Sequence, residues 1–296
     1  MYYQITRCSH DFPYETELNP IQSCIFGGYC FTTLEHLHNF YGDGQWLTVV
    51  TIPDDAQMVR DPYGKMWRAN KIILNQSYPL FDVKTIKTFD LKITSDYVDL
   101  ASSNGHLKIL EWWNDSELEP EYTTDAIDYA SKNGHVEVLQ WWLNQFKNSG
   151  LEFKYSCFAI DCASIRGQIK VLEWWFNPFK NSGLELKYTN RAIDFASRNG
   201  RVEVLKWWFN QFKSSGLELE YTEFAINGAS YGGHVEVLKW WLNQFNSSGL
   251  ELKYSEDAID LAYEKGQAEV LKLWFNEFKN SGLELKYTKD MDCSKY

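Results

Sequence analysis

Cys24, Cys30, His36 and His38 fall within fifteen residues and are the side chains that bind zinc. Their spacing fits no zinc template. Two apart on a helix, His36 and His38 would also point about 200° apart, so no metal is expected there. Gly27-Gly28 leads into neither G-x-G-x-x-G nor a P-loop, which removes the phosphate cradle. His36, His38, Asp54, Asp55 and Arg68 are polar enough to assemble a catalytic site, yet no nucleophile–base–orienter spacing is legible. The remaining place for small-molecule chemistry is a nucleotide or sugar pocket under Trp46 and Trp67. Residues 1–92 would then be a ligand-binding or modifying domain whose target the rest of the chain recruits. Without such a pocket the expectation is no enzyme and no cofactor. His106, His135 and His234 follow a turn glycine, where equivalent places hold Gln168, Arg201 and Gln267. Catalysis or metal binding would not survive that exchange, so these residues are expected to cap turns.

The residues that do recur set the architecture. Tyr-Ser/Thr returns at Tyr122, Tyr155, Tyr188, Tyr221, Tyr254 and Tyr287, each step being 33 residues. Between them runs Y-[ST]-x-x-A-I-[DN]-x-A-[SY]-x-x-G-x-x-x-V-L-x-[WL]-W-[LF]-N, followed by S-G-L-E. A shorter unit precedes it, so six units are expected at 93–121, 122–154, 155–187, 188–220, 221–253 and 254–286. The array closes near 290 and leaves a tail at 291–296.

Each unit reads as two helices. Thr123, Ser156, Thr189, Thr222 and Ser255 suit the N-cap, and Asp128, Asp161, Asp194 and Asp260 suit the positive end of the first helix dipole. Asn133-Gly134 and its equivalents supply the turn, and the second helix begins near His135. On that helix Val136, Leu139, Leu143 and Phe146 form one apolar stripe, and Val138 with Trp142 a second. Adjacent Trp141 and Trp142 point about 100° apart, so the helix needs a partner on each side, as in a stacked array. Of thirteen Trp, eleven lie on second helices. One buried Trp withdraws roughly 150–250 Å² from water, worth about 4–6 kcal/mol before entropy is subtracted. Trp113, Trp142, Trp175, Trp208, Trp241 and Trp274 are therefore the expected core between units.

Residues 1–92 do not repeat. Strands are expected at Tyr3–Thr6, Trp46–Ile52 and Lys71–Leu74, a short helix at Thr33–Phe40 with Leu34, Leu37 and Phe40 or Tyr41 on one face, and a turn at Asp61–Gly64. The fold class is α+β: a small N-terminal α+β domain over 1–92, joined near residues 80–92 to an all-α helical array over 93–290.

Aromatic residues make up 17% of the chain and charged residues 23%, which argues for a folded, soluble protein. The net charge is −11, and residues 1–92 carry 8 basic against 10 acidic side chains, so most of the excess lies in the repeats. A phosphate-tracking nucleic-acid binder needs a basic face, so no nucleic acid is expected. No run approaches the roughly 18 apolar residues of a membrane span, and no secretory signal opens the chain. The six cysteines form no C-x-x-C pair and no disulfide framework is expected. A soluble intracellular monomer is the expectation.

At D-A-I-D-Y-A-S-K-N-G-H-V-E-V-L (125–139) the pattern resembles the ankyrin repeat, with A-S-K-N-G-H-V-E-V-L aligning with A-A-x-x-G-H-x-E-V-V. The histidine of the usual T-P-L-H opening is replaced by Asp99, Asp128, Asp161, Asp194, Asn227 and Asp260, and no proline starts the helix. The hairpin phrase becomes S-G-L-E-L-K-Y-[ST], so full β-hairpin fingers are not expected; a longer second helix and a tighter turn are. The tetratricopeptide signature is absent. The phrasing L-E-W-W…N-S-G-L-E-L-K-Y-S is similar to divergent ankyrin arrays of mimivirus-type giant DNA viruses. G-G-Y-C-F-T (27–32), Q-W-L-T-V-V-T-I-P (45–53) and D-P-Y-G-K-M-W-R-A-N-K-I-I-L (61–74) resemble the N-terminal module of the same proteins. The ten residues after Lys286 are too few for an F-box-like tail such as related viral proteins use to recruit ubiquitin ligases.

The resemblance implies a non-enzymatic scaffold that binds host or viral proteins through a concave face, in the host cytoplasm. The places where the units differ cluster. Third and fourth places read Thr124-Asp125, Cys157-Phe158, Asn190-Arg191, Glu223-Phe224 and Glu256-Asp257; the eleventh reads Lys132, Ile165, Arg198, Tyr231 and Glu264. Asp125, Phe158, Arg191, Phe224, Asp257, Arg198 and Tyr231 are the expected contact residues, because packing does not dictate them.

Overall fold

The computed structural model describes residues 1–8, 14–17, 28–116, 118–119, 121–215 and 219–288. Cys24, Gly27, Cys293 and the tail at 291–296 lie outside these residues. The chain forms two compact units, Met1–Ala126 and Ile127–Tyr296.

In the first unit, β-branched and aromatic runs form two antiparallel sheets. One is ordered β1 (Tyr2–Thr6), β4 (Trp46–Thr51), β7 (Lys71–Pro79), β2 (Tyr14–Glu17); the other β3 (Tyr29–Phe31), β6 (Trp67–Ala69), β5 (Met58–Arg60). Phe31, Val50, Ala69, Ile72 and Leu74 form a buried cluster, and hydroxyl groups of Thr6, Thr48 and Ser77 link β1, β4 and β7 at 2.9 and 2.7 Å. The expected turn is present: the Gly64 N–H donates to the Asp61 carbonyl at 3.0 Å, and the Asp61 carboxylate accepts the N–H groups of Lys65 and Met66. The helix expected at 33–40 is a 3-10 helix, Leu34–Asp43, with Leu37 and Tyr41 buried. Asn39, Gly42 and Asp43 are poor α-helix formers.

Helices α1 (Val83–Phe89), α2 (Ser95–Ser103) and α3 (Leu107–Asn114) belong to the same unit. Tyr41 packs edge-on against Tyr97 at 5.1 Å, the Tyr97 hydroxyl donates to the Leu80 carbonyl at 2.8 Å, and His106 stacks on Phe81 at 4.5 Å. Sequence regularity begins at residue 93, whereas these contacts tie the first helical pair to residues of the strand-rich part.

From α4 onward the chain is a run of helix pairs: α4 (Asp125–Asn133) and α5 (Val136–Ser149), α6 (Phe158–Arg166) and α7 (Ile169–Trp174), α8 (Arg191–Arg198) and α9 (Val202–Ser215), α10 (Phe224–Tyr231) and α11 (Val235–Ser248), α12 (Asp257–Glu264) and α13 (Ala268–Leu273). Glycine reverses the chain inside each pair, with Gly167 at φ +80° and Gly200 at φ +71°, where other residues are strained. The second helices α5, α9 and α11 run fourteen residues. Those after α7 and α13 continue as π-helical turns, Trp175–Phe179 and Trp274–Phe278; in the first, Pro178 has no N–H for an α-helical bond. Among the described residues after Ile127 there is no β-strand. The architecture is thus small antiparallel sheets followed by a long run of helices.

Candidate functional site

A repeated set of hydrogen bonds fixes the helix pairs and thereby aims the variable residues. The Thr189 backbone N–H donates to Asp161 Oδ1 at 2.9 Å and its hydroxyl to Oδ2 at 2.7 Å. Ser156 does the same to Asp128, Thr222 to Asp194 and Thr288 to Asp260. In the short first unit Thr123 meets Asp99 at a separation of 24 in place of 28, so four missing residues leave the latch intact. These aspartates are buried. Their role is therefore more than the expected complement to a helix dipole: each holds the next unit's first turn. Burial raises the Asp99, Asp161 and Asp194 carboxyls above the usual carboxylate range, and the threonine donors oppose it.

The same hydroxyls accept backbone N–H groups two residues on. Phe158, Arg191 and Phe224 donate to Ser156, Thr189 and Thr222 at 3.1–3.2 Å, so these hydroxyls serve the first turn from one place before the N-caps, which are Cys157, Asn190 and Glu223 and not the expected Ser and Thr. The latch thus sets where the fourth residue of each unit projects.

Indoles supply a second ladder. The Nε1–H groups of Trp175, Trp208, Trp241 and Trp274 donate to Ser131, Ser164, Ser197 and Ser230 of the preceding unit at 3.1–3.2 Å, and all four rings are buried. Trp142 and Trp113 are buried too. Their neighbours Trp141 and Trp207 stay half-buried, so the second indole of each pair carries the deeper burial. A third ladder runs along the linkers, where the hydroxyls of Tyr155, Tyr221 and Tyr254 donate to the carbonyls of Glu185, Glu251 and Glu284.

The residue after the turn glycine departs from expectation. Gln168, His234 and Gln267 make no side-chain cap bond to their own helices. Gln168 Nε2 instead donates to the Lys132 carbonyl and Gln267 Nε2 to the Tyr231 carbonyl, each in the preceding turn. His106 contacts Gln45 at 3.2 Å. These side chains bridge neighbouring elements because the helix they precede starts without needing their polar atoms.

With the frame occupied by constant residues, the variable ones meet at one place. A groove of about 520 Å³ is lined by Arg191, Asp194, Phe195 and Arg198 of α8, Phe224, Asn227, Gly228 and Tyr231 of α10, and Asp257 and Leu261 of α12. Five of the seven expected contact residues line it. Phe224 is 68% exposed. Phe158, 50% exposed, stands outside the lining but under the Arg191 guanidinium at 5.6 Å. Asp125 opens α4, is exposed and is not among the lining. Cations and rings alternate along the groove: Arg191 and Arg198 lie over Phe195 at 5.6 and 5.9 Å, and Arg198 and Lys265 over Tyr231 at 5.6 and 5.0 Å. Sequence reasoning passed over Phe195, Gly228 and Leu261. Their shared eighth place, read as Tyr129, Cys162, Phe195, Gly228 and Leu261, was the available signal.

The N-terminal expectations fare differently. A cavity of about 170 Å³ lies among Tyr3, Ile5, Cys30, Phe31, Thr32, Phe40 and Met66; neither Trp46 nor Trp67 lines it. Trp67 instead packs on Tyr2 and sits under Arg60 at 5.3 Å. Asp55 pairs with Lys71, whose hydrogen bond lowers its pKa. Among the described residues no cluster of three or more His, Cys, Asp or Glu could hold a metal ion, and no helix is long and apolar enough to cross a membrane.

No family model matches the chain. It is 32% identical over 130 residues to the putative ankyrin repeat protein R868 of Acanthamoeba polyphaga mimivirus, covering 38% of this chain and 65% of that protein. Over that stretch the chain is similar to a divergent ankyrin-repeat protein. A second relative, the uncharacterized protein L696 of the same virus, is 35% identical over 128 residues, covering 33% of this chain and 41% of the other. The matched parts span less than two thirds of either relative. The human ASB11 ankyrin repeat domain matches with a TM-score of 0.46 at 14% identity, over 65% of this chain and 86% of that one. In this chain the latch aspartates stand where the ankyrin pattern ordinarily has histidine.

Proposed function

We propose that the chain is a non-enzymatic protein-interaction scaffold. Its array, taken as 93–290 in six units, binds a host or viral protein through the concave face formed by its first helices. It acts as a monomer in the host cytoplasm, without cofactor, nucleic acid or membrane. One observation carries the reading: residues that differ between otherwise constant units, Arg191, Arg198, Phe224, Tyr231 and Asp257, converge on a single groove. Constant residues are consumed by the latches, so variation at the groove is free to serve recognition. The net charge of −11 disfavours a polyanionic partner.

The test is affinity capture from amoebal lysate with the full chain and with a variant carrying Arg191→Ala, Arg198→Ala, Phe224→Ala and Asp257→Ala. All four residues are exposed, so the variant should keep its helical circular dichroism and lose the proteins the parent retains. Retention of the same proteins by both chains would overturn the reading. A small-ligand or modifying role for residues 1–92 has less support, since the cavity of about 170 Å³ is below the roughly 300–1,000 Å³ of ligand pockets. Saturable stabilisation of the full chain by a nucleotide or sugar in a thermal-shift screen would favour it.

A further inference from the structure

The unit at 221–253 departs from its neighbours at two adjacent positions of its first helix. Where the others have a latch aspartate it has Asn227, and where they have Tyr129, Cys162, Phe195 or Leu261 it has Gly228. The latch survives the first change. Asn227 Oδ1 accepts the Ser255 N–H at 3.2 Å, and its Nδ2 donates to the Ser255 hydroxyl at 2.8 Å. A carboxylate has been removed from the groove floor while the fold has kept its bond.

The second change leaves bare backbone in the groove lining, with the Arg198 side chain packed against it. The eighth-place side chains line up from unit to unit, and at Gly228 one is missing, with Phe195 and Leu261 on either side as walls. Glycine also seats a charge. A Cβ at 228 would come within 2.9 Å of the Arg198 Cβ, so any larger residue would displace that arginine. Arg191 and Arg198 are exposed and engage ring faces, and among the described residues neither forms an ion pair with a carboxylate. The Asp194 carboxylate in the same lining is taken by Thr222. Two guanidinium forks thus stand over an apolar floor, in a chain with eleven excess negative charges. Carboxylates are the groups such forks recognise.

We propose that this groove receives a linear peptide segment of a protein partner, one apolar side chain lying over Gly228 between Phe195 and Leu261 and flanking carboxylates resting on Arg191 and Arg198. This rests on the scaffold reading above and specifies its ligand. Asp257, exposed on the α12 wall, opposes the acidic flank and limits affinity.

The probe is a fluorescein-labelled peptide with one Phe between Glu residues in a Gly-Ser background, titrated against the full chain by fluorescence anisotropy. Saturable binding is expected, weakening as salt is raised. Replacing the peptide's Phe by Ala, or its Glu by Lys, should cost about tenfold or more each. The protein variant Arg191→Gln/Arg198→Gln should lose about tenfold for the Glu peptide, and Asp257→Asn should bind it a few-fold more tightly. Gly228→Ala should weaken binding by moving Arg198; the exposed arginine and aspartate variants decide the matter if that chain folds poorly. No saturable binding, or equal binding of the Glu and Lys peptides, would overturn the proposal. Should the peptides fail while Arg191→Gln/Arg198→Gln still loses the lysate proteins, the scaffold reading stands and this inference falls. Peptide binding alongside unchanged lysate capture would support the peptide groove and sink the scaffold reading.

Discussion

Sequence separation distinguishes the two compact units. In Met1–Ala126 side-chain bonds join residues as varied as 29, 42, 51 and 61 apart. In Ile127–Tyr296 the bonds that recur from one repeat to the next across their interface, among the described residues, use four separations: 28 for the aspartate latch, 30 for tyrosine, 36 for the turn bridge and 44 for the indole. Apart from its Thr123–Asp99 latch, the first unit relies on individual long-range agreements. The second is nearest-neighbour, so its stability approximates a sum of unit and interface terms. Acids are used in two ways. Asp61 gains backbone donors that lower its pKa, whereas burial raises Asp161 and Asp194.

The sharpest break in this comparison comes from deletion. Removing 188–220, one whole period, should leave a helical protein of lower stability, because every latch finds an equivalent partner one period away. Removing sixteen residues, 188–203, should abolish the array's cooperative helical melt. Equal damage in circular dichroism would refute the nearest-neighbour description. Next in size, Trp208→Ala should cost about 3–5 kcal/mol in denaturant unfolding, with Trp207→Ala costing less than half as much. Equal costs would mean that burial of the second indole does not hold the units together.

Smaller effects probe the latch. Thr222→Val removes the hydroxyl bond to buried Asp194 and the acceptor of the Phe224 N–H, and should cost about 1–3 kcal/mol, with Thr222→Ser restoring most of it. The smallest is a pH effect. Because burial holds the Asp194 carboxyl above its ordinary 3.8, folding favours its protonated form. That contribution is complete below the ordinary value and is lost as pH rises through the raised one. Asp194→Asn, copying the geometry of Asn227, should therefore gain on the parent as pH rises from acidic to neutral, measured by melting. A parent-minus-variant difference independent of pH would show the carboxyl to be unperturbed.

Much of this is legible in the sequence. The turn glycines are local matters, decided by residues a few places apart, and they do take positive φ; the Ser/Thr hydroxyls serve the first turns, though from one place before the N-caps. Adjacent indoles have to face different surroundings because a helix turns about 100° per residue, and they do. The latch is not legible. Periodicity states that Asp161 and Asp194 are equivalent without stating that Asp161 meets Thr189; the partner across an interface depends on how far one helix pair is displaced from the next. The post-glycine residues mislead for the same reason, since sequence judges them against their own helix while their contacts lie in the preceding turn. At the candidate groove, the variable fourth and eleventh places stand out by contrast with constant neighbours. Gly228 does not, because an absent side chain leaves no pattern to notice.

Sequence alone determined that this chain would build repeated helix pairs after a strand-rich beginning, since periodicity, capping and turn chemistry act over short distances. Tertiary structure decided which side chains face one another across the repeats, and so which are consumed as latches and which remain at a groove. Hydrogen bonds of 28 and 44 residues' separation depend on the stacking offset, and that offset is set only when the indoles have packed.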